Sequence, residues 1–308
     1  MDTGLSEVVV GVDWGTTHRR AYALDGNGAL VANYSDSEGA LACKGRFGPA
    51  LDLALAQLQV RPGLVLLSGM VGSTLGWLEV PYVGSEVSLF QLPEFVVPAP
   101  SATGTPPGFI VPGYCIRNQQ GQPDVMRGEE TQLLGAAALG HGDGWFVLPG
   151  THSKWVQLQA GRILQLRTYM TGELFNLLSN HGTLASAASA GPVTWSDEAF
   201  AQGVNQSGAS SLSHQLFGAR ARVVSGDMPA ANTHSYLSGL LIGAELRDVM
   251  RMRGQMTSDA RFKLIGTPDL ARHYEAAATL LDLSFEILDA QGAYLAALHY
   301  IRKQKASL

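Results

Sequence analysis

The chain has 308 residues, of which 46% are hydrophobic and 15% are charged, a composition typical of folded proteins with a sizeable core rather than of disordered chains. Its formal net charge of −5 argues against a nucleic-acid-binding protein, which should present a basic surface. Two cysteines are too few for a disulfide scaffold or a cysteine-rich metal site. Since the sequence also contains neither a targeting segment nor an apolar run of membrane-spanning length, we expect a cytoplasmic protein.

A strand–turn–strand motif occurs twice, about half the chain apart. The first copy spans Val8–Leu24 and the second spans Trp145–Leu158, and in each a buried strand runs into a turn of glycine and threonine. The turn residues are Gly15, Thr16 and Thr17 in the first copy and Gly150 and Thr151 in the second. Glycine lets a ligand approach the backbone closely and threonine adds a hydroxyl, so the two turns predict a polyphosphate held from both sides.

The remaining elements alternate between strands and helices. Apolar spacing predicts helices over 49–59, 128–139, 171–179, 235–250, 269–281 and 292–302, and strands over 64–67, 262–265 and 285–288. We expect Thr171 to cap its helix, and we interpret Val71–Pro112 and Thr194–Ser213 as loop or edge structure. Glycine-rich Leu139–Gly144 is the candidate linker. Together these elements predict a mixed-sheet α/β domain that is used twice.

Charged side chains flank the first Gly-Thr turn. Asp13 ends a buried strand beside the turn, where a carboxylate can hold Mg²⁺ through water. Arg20 lies further along the same hairpin and could meet a γ-phosphate. An ordinary turn with charges that face solvent remains the alternative interpretation.

A second charged cluster precedes the helix predicted from Gly128. Asp124 could cap this helix, with Glu129 and Glu130 stabilised by its dipole, and such an arrangement needs no ligand. That interpretation does not explain Arg127 among the acids. A carboxylate at this place could also take a proton from a substrate hydroxyl, and the sequence leaves both interpretations open.

Two further loops contain residue types suited to polar ligands. The loop Ser68–Trp77 combines glycines and hydroxyls with a large aromatic side chain, a mixture that binds sugars, although a plain surface loop has similar composition. Gly266 and Thr267 join a strand to a helix, where bare backbone could support a nucleoside, although ordinary turns also look like this. His18 and His152 each follow a Gly-Thr turn, and the histidines show no metal-binding spacing.

These motifs resemble a known family. Asp13–Thr17 with Arg20 is similar to the first phosphate motif of the sugar-kinase, Hsp70 and actin superfamily. Pro149–Trp155 and Met126–Gln132 more closely resemble the 2-dehydro-3-deoxygalactonokinase family. The resemblance implies an α/β fold of two ribonuclease-H-like domains with mixed sheets flanked by helices and a cleft between them. The expected domains are residues 1–140, with sugar-acid-binding loops, and residues 141–308, which bind nucleotide and whose last helix could pack back on the first domain.

The resemblance further implies ATP-dependent phosphorylation of the 6-hydroxyl of 2-dehydro-3-deoxy-D-galactonate, a small sugar acid, with Mg²⁺ as cofactor. Together with the residue patterns, the resemblance implies that Asp13, Arg20 and Glu129 are catalytic residues and that Asp13 also lies near the metal. The expected nucleotide contacts are Gly15, Thr16, Thr17, Gly150, Thr151, Lys154, Gly239, Gly266 and Thr267. The expected substrate contacts are Ser68, Gly69, Met70, Trp77, Tyr82, Arg127 and Glu130.

Several alternatives stay open at the level of sequence. Related sugar kinases carry a catalytic aspartate where this chain has Glu129, so Asp124 and Glu130 are rival candidates for the base. The acceptor could be another sugar or sugar acid, because sequence does not fix the stereochemistry at one hydroxyl. A non-catalytic ATP-binding protein of the same superfamily is the alternative from another class. We expect neither a nucleic acid nor a membrane as partner, and a homodimer is possible.

Overall fold

A computed structural model describes residues 8–100, 106–188, 194–253 and 262–305. Contacts divide the chain into two units. Unit 1 comprises Met1–Gly144, Val156–Arg167 and Leu288–Leu308, and unit 2 comprises Trp145–Trp155 and Thr168–Ile287.

The described residues form strands β1 to β13 and helices α1 to α9. The strands are β1 Val9–Trp14, β2 Arg19–Leu24, β3 Leu30–Asp36, β4 Leu64–Gly69, β5 Val97–Pro98, β6 Gly108–Ile110, β7 Tyr114–Arg117, β8 Pro123–Met126, β9 Gly144–Leu148, β10 Ser153–Gln159, β11 Arg162–Tyr169, β12 Phe262–Ile265 and β13 Phe285–Leu288. The helices are α1 Phe47–Leu58, α2 Glu129–Ala138, α3 Thr171–Asn180, α4 Gly182–Ala188, α5 Asp197–Gln206, α6 Leu212–Ser225, α7 Thr233–Arg253, α8 Pro268–Thr279 and α9 Ala290–Lys305.

The first sheet is mixed and has six strands in the order β3-β2-β1-β4-β6-β5. Strands β1 to β3 pair antiparallel, whereas β1 and β4 pair parallel, as do β4 and β6. The register places Asp13 opposite Arg20 on one side and opposite Ser68 on the other. Because parallel strands end at the same edge, the polar residues that end β1 and β4 are neighbours at that edge.

The core of unit 1 surrounds β1, and helix α9 lies directly against this strand. The strand is almost wholly apolar and buried, as expected for the centre of a sheet covered on both faces. A Cβ on Gly11 would lie 2.2 Å from a methyl carbon of Leu298 on α9. A Cβ on Gly135 of α2 would lie 1.6 Å from the carbonyl oxygen of Ala293 on α9. Both glycines are therefore required by the close approach of the last helix.

A second sheet has the strand order β11-β10-β9-β12-β13, in which β9 and β12 are parallel. The core of unit 2 packs Trp155, Phe262 and Tyr274 between strands and helices. Helices α5 and α7 cross closely, since a Cβ on Gly239 would lie 2.0 Å from the carbonyl oxygen of Phe200. The mixed α/β fold that the repeated motif predicts is thus confirmed.

The predicted loop over Thr194–Ser213 is wrong, because α5 and the start of α6 lie in it. The side chain of Ser196 accepts a hydrogen bond from the backbone nitrogen of Ala199 at 3.2 Å and caps α5. Acidic residues follow in the first turn, and Phe200 and Val204 bury one face of the helix. The many polar residues of this segment lie on the opposite, exposed face, which concealed its helical period.

The predicted cap at Thr171 is also wrong, and the structure excludes the interpretation of Asp124 as a helix cap. Helix α3 begins at Thr171 itself, so Met170 occupies the capping position. Helix α2 begins at Glu129, so Gly128 is its capping residue and Asp124 lies in β8. Gly128 has a φ of +111°, which a residue with a side chain rarely adopts, and this backbone requirement is why no Ser or Asp stands at that cap.

Among the described residues, none of the helices has both the length and the apolar content needed to cross a membrane.

Candidate active site

Unit 1 gathers several predicted site residues where β1 and β4 end and α2 begins. Asp13 is the penultimate residue of β1, and Ser68 holds the matching place in β4. A Cβ on Gly128 would lie 3.2 Å from the Cα atom of Gly69, so the start of α2 touches the end of β4 through two glycines. This contact brings the acids of α2 to the edge of the sheet that carries Asp13.

Asp13 and Arg20 face each other across the β1–β2 pair. An Oδ2 of Asp13 lies 3.7 Å from Nη1 of Arg20, whose side chain is 44% exposed. Burial raises the pKa of Asp13, and the positive charge of Arg20 opposes that rise. The pair therefore combines a half-buried carboxylate with a guanidinium that can reach a ligand in solvent.

The Gly-Thr turn between β1 and β2 is held by the chain segment that follows β3. The backbone nitrogen of Gly15 donates to the carbonyl of His18 at 2.9 Å, which closes the turn. Backbone nitrogens of Ala40 and Leu41 donate to the carbonyls of Gly15 and Thr16 at 2.9 and 3.2 Å. Thr17 is exposed at the tip, as a residue offered to a ligand would be.

Two glutamates at the start of α2 bend back on the preceding turn. Oε2 of Glu129 accepts a hydrogen bond from the backbone nitrogen of Arg127 at 3.0 Å, and Oε2 of Glu130 accepts one from Gly128 at 2.6 Å. The hydroxyl of Thr131 donates to Oε1 of Glu130 at 3.1 Å. Glu129 is half-buried, whereas Glu130 is 0% exposed.

Glu130 is a perturbed acid. Burial raises its pKa to about 8, and the neighbouring charge of Glu129 adds to the rise. Its backbone hydrogen bonds and Arg127 oppose the shift but do not cancel it. At neutral pH this carboxyl group is therefore mostly protonated and uncharged.

Arg127 is held beside these acids with part of its hydrogen-bonding capacity unused. Its Nη2 donates to the carbonyl of Val80 at 2.6 Å, and its guanidinium lies 4.3 Å from the centre of the Tyr82 ring. Its Nε and Nη1 are buried and have no hydrogen-bond partner among the described residues. Buried charged donors without acceptors are costly, so this arrangement suits an anionic ligand such as a carboxylate.

Tyr294 is a site residue that sequence reasoning missed. The Oγ atom of Ser68 donates to the carbonyl of Val12 at 3.4 Å and lies 2.9 Å from the hydroxyl of Tyr294 on α9. Burial raises the pKa of Tyr294 well above its usual value, and the charges of Asp13 and Glu130 add to the rise. No motif surrounds Tyr294 in the sequence, so only the fold reveals its place.

The other predicted substrate residues are less central. Trp77 is half-buried and stacks on Phe47 with ring centres 6.4 Å apart, so packing accounts for this aromatic side chain. Met70 begins a short 3-10 turn, and its carbonyl accepts a hydrogen bond from the hydroxyl of Ser73 at 2.7 Å. Tyr82 is 43% exposed and offers one face to Arg127.

In unit 2 the second Gly-Thr turn lies against the start of α3 and the loop that follows β12. A Cβ on Gly172, in the first turn of α3, would lie 2.3 Å from the carbonyl oxygen of Gly150. The backbone nitrogen of Glu173 donates to the carbonyl of Thr151 at 2.9 Å. A Cβ on Gly266 would lie 3.3 Å from Cδ of Pro149, so the loops that follow parallel strands β9 and β12 are adjacent. The structure thus places Gly266, which precedes Thr267, beside Pro149, which precedes Gly150 and Thr151.

Three side chains near this turn differ in their surroundings. Nε2 of His152 lies 2.5 Å from Oε2 of Glu173 at an exposed position. Lys154 is buried, and its Nζ donates to the hydroxyl of Thr168 at 3.0 Å. Gly239 lies within α7 at the crossing with α5, and helix packing accounts for this glycine.

No group of three or more His, Cys, Asp or Glu side chains suited to a metal ion occurs within the described ranges. Mg²⁺ in phosphate-transferring proteins is usually held by one or two carboxylates together with substrate phosphates, so such a group is not needed.

The repeated Gly-Thr turns, the mixed sheets, the family model and the matching crystal structure together define a class: a carbohydrate kinase of the ribonuclease-H-like fold. The chain belongs to the 2-keto-3-deoxy-galactonokinase family, whose family model matches residues 13–301.

Individual relatives agree with this assignment. The 2-dehydro-3-deoxygalactonokinase of Escherichia coli (strain K12) is 35% identical over 271 residues, which cover 87% of this chain and 88% of that protein. A Rhizobium meliloti (strain 1021) protein named as a probable 2-dehydro-3-deoxygalactonokinase is 35% identical over 300 residues, 93% of this chain and 94% of its own length. The crystal structure of a Sinorhizobium meliloti protein named for the same activity matches with a TM-score of 0.86 and 31% identity. The match covers 98% of this chain and 100% of the Sinorhizobium meliloti chain.

Proposed function

We propose that this chain transfers the γ-phosphoryl group of ATP to the 6-hydroxyl of 2-dehydro-3-deoxy-D-galactonate, giving 2-dehydro-3-deoxy-6-phosphogalactonate and ADP. The family and the name of the Escherichia coli relative support the reaction. The observation that carries the substrate class is Arg127, a half-buried residue beside the acids of α2 whose Nε and Nη1 are buried donors without acceptors among the described residues. A sugar acid brings the carboxylate that these donors lack.

We propose Glu129 as the base that accepts the proton of the 6-hydroxyl. It is the first residue of α2 and is half-buried, so its carboxylate can approach a ligand. Glu130 is fully buried and mostly protonated at neutral pH, which suits it to hold the Gly128 turn rather than to accept a proton. Asp124 lies in β8, where its Oδ1 accepts a hydrogen bond from the backbone nitrogen of Val125 at 2.8 Å.

Arg20 and Asp13 are proposed to face the phosphates. Arg20 is exposed enough to contact a γ-phosphate, whose developing negative charge a guanidinium stabilises. Asp13 offers a half-buried carboxylate oxygen at the end of β1, which fits a water-mediated Mg²⁺ ligand. When bound, Mg²⁺ would neutralise charge on the β- and γ-phosphates. Thr16 and Thr17 are proposed to donate backbone and hydroxyl hydrogen bonds to the same phosphates, and Gly15, whose N–H is used inside the turn, is proposed to let them approach the backbone closely.

In unit 2, we propose that the backbone of Gly150 and Thr151 binds phosphate and that Gly266 and Thr267 lie against the nucleoside, with Lys154 nearby. We leave Gly239 out of this site, because its position is explained by the packing of α5 on α7. Division into a sugar-acid domain of residues 1–140 and a nucleotide domain of residues 141–308 is part of the same proposal. A cytoplasmic location and a homodimer stay predictions, which cell fractionation and light scattering would test.

An ADP-release assay over a panel of sugars and sugar acids tests the proposed function. We expect the highest kcat/KM with 2-dehydro-3-deoxy-D-galactonate and little activity with neutral sugars, because these cannot satisfy Arg127. Equal rates with neutral sugars would overturn the assigned substrate class. Preference for a different sugar acid would keep the class and correct the stereochemistry at one hydroxyl.

A further inference from the structure

A buried carboxylate in unit 2 joins the elements that enclose the second Gly-Thr turn. Glu245 lies on α7 and is 2% exposed. Its Oε1 accepts hydrogen bonds from the hydroxyl of Ser153 and from Nε1 of Trp155, both at 2.7 Å. Its Oε2 accepts hydrogen bonds from the hydroxyl of Tyr274 at 2.9 Å and from the hydroxyl of Thr171. Both carboxylate oxygens are therefore fully used inside the protein.

The four donors come from three elements around the turn. Ser153 and Trp155 begin β10, directly after the turn. Thr171 is the first residue of α3, immediately before Gly172, which touches the carbonyl of Gly150. Tyr274 lies on α8, the helix that follows Gly266 and Thr267. One carboxylate thus fixes the exit of the turn and the two helices whose starts lie beside it.

A carboxylate is better suited than any other side chain to accept these four hydrogen bonds. Two oxygens with about four lone-pair sites can accept all four hydrogen bonds, and these bonds offset part of the cost of burying a charge. Burial raises the pKa of Glu245, and the hydrogen bonds from Thr171, Trp155, Ser153 and Tyr274 oppose that rise.

A glutamine of the same shape cannot accept all four bonds. Nε1 of Trp155 can only donate, so the amide oxygen must face Trp155, and the amide nitrogen must face Thr171 and Tyr274. The hydroxyls of Thr171 and Tyr274 would then have to turn from donating to accepting. The links from Glu245 to the start of α3 and to α8 are accordingly the ones most weakened.

We propose that Glu245 is a positioning residue for phosphate binding, which acts by holding the turn Pro149–His152 and the start of α3 in register. The inference rests on the proposed function in that it takes this turn to bind the phosphates of ATP. Nothing in it requires Glu245 to touch the nucleotide.

The test compares Glu245→Gln with Asp248→Asn, a matched carboxylate-to-amide change one turn further along α7. Asp248 accepts a hydrogen bond from the hydroxyl of Tyr169 at 2.7 Å and pairs with Arg251 at 2.9 Å. Affinity for ADP–Mg²⁺ is measured by calorimetry without any acceptor sugar, and KM is measured separately for ATP and for the ketoacid. Small misplacements of binding groups cost on the order of 10–100-fold, so we expect a rise of that size in the ADP Kd and the ATP KM of Glu245→Gln.

The ketoacid KM should change little in Glu245→Gln, and Asp248→Asn should leave both KM values near those of the wild type. Unchanged ADP affinity in a folded Glu245→Gln variant would overturn the inference, as would equal rises in both KM values. If Glu245→Gln does not fold, Thr171→Val removes only the donor from α3, and wild-type ADP affinity in that variant overturns the inference instead. Because ADP binding is measured without acceptor, failure of the wild type to phosphorylate a sugar acid would refute the proposed function separately.

Discussion

The hydroxyl of Tyr294 lies 2.9 Å from Oγ of Ser68, although 226 residues separate the two in sequence. Ser68 stands opposite Asp13 in the sheet, and Asp13 and Glu130 both lie close enough to Tyr294 to raise its pKa. The last helix therefore places a polar group among the acids of the candidate site. The hydrogen bond between Tyr294 and Ser68, in which either hydroxyl can donate, therefore links α9 to the end of β4.

Tyr294→Phe should lower kcat, because Ser68, which stands opposite Asp13, loses its buried hydrogen-bond partner. Tyr300→Phe is the matched control on the same helix, since its hydroxyl donates to the carbonyl of Phe90 at 3.2 Å. Each change should cost about 1 kcal/mol in the free energy of unfolding, as expected for one lost hydrogen bond. Steady-state kinetics and urea unfolding of both variants check the prediction. Equal activity in the two variants would remove Tyr294 from the site.

Glu129→Gln should reduce kcat by about 10²–10⁴-fold if Glu129 is the general base. The amide keeps the size of the side chain and can still accept a hydrogen bond from the backbone of Arg127, so folding should be preserved. Single-turnover phosphoryl transfer with saturating ketoacid and ATP measures the effect on chemistry directly. A variant with near-wild-type turnover would return the role to Asp124 or Glu130.

Arg127→Ala should raise the KM for the ketoacid by at least about 30-fold, because removing one partner of a buried charge pair costs about 2–5 kcal/mol. The KM for ATP should change far less. Arg117→Ala is the matched control, since Arg117 is exposed on β7 and donates to the carbonyl of Gly121 at 2.9 Å. Parallel rises in the KM values for ketoacid and ATP would place Arg127 outside the substrate site.

Local patterns in the sequence predicted much of this fold because their causes are local. The Gly-Thr turns, the buried strands before them and the start of β4 follow from residue types within a few positions. The alternation of β2 also shows that Arg19 and Arg20 point to opposite faces, but it does not tell which face is buried. In the structure Arg19 is buried against Asp36 at 2.5 Å, and Arg20 faces Asp13.

The features that the sequence did not predict depend on contacts between residues that are far apart in the chain. Glu245 and Ser153 are 92 residues apart, and no spacing rule connects an acid on α7 to a turn before β10. One signal was present, because Glu245 interrupts the apolar run that begins at Leu240. A charge inside such a run requires buried partners. The sequence could therefore have predicted that Glu245 is a buried acid with hydrogen-bond partners, but it could not have identified those partners.

The raised pKa of Glu130 predicts how the free energy of unfolding depends on pH. In the folded protein its pKa is raised from 4.5 to about 8, so the folded state keeps a proton that the unfolded state releases as the pH rises through 4.5. Between these two values the unfolded state binds fewer protons, and the stability of the wild type therefore falls as the pH rises. Glu130→Gln mimics the protonated group and removes this loss. Its advantage in the free energy of unfolding should be small near pH 4.5 and grow by about 1.4 kcal/mol per pH unit.

Urea unfolding of the wild type and Glu130→Gln between pH 4.5 and 8.5 checks this dependence, with an expected difference on the order of 4 kcal/mol at the upper end. Glu129→Gln is the companion variant, because Glu129 contributes to the raised pKa of Glu130. Removing that charge should lower the pKa of Glu130 and reduce the total loss of stability. A difference between Glu130→Gln and wild type that stays constant over this pH range would show that Glu130 titrates as an ordinary carboxylate. The Gly128 turn would then be held by a charged group rather than by a neutral acid.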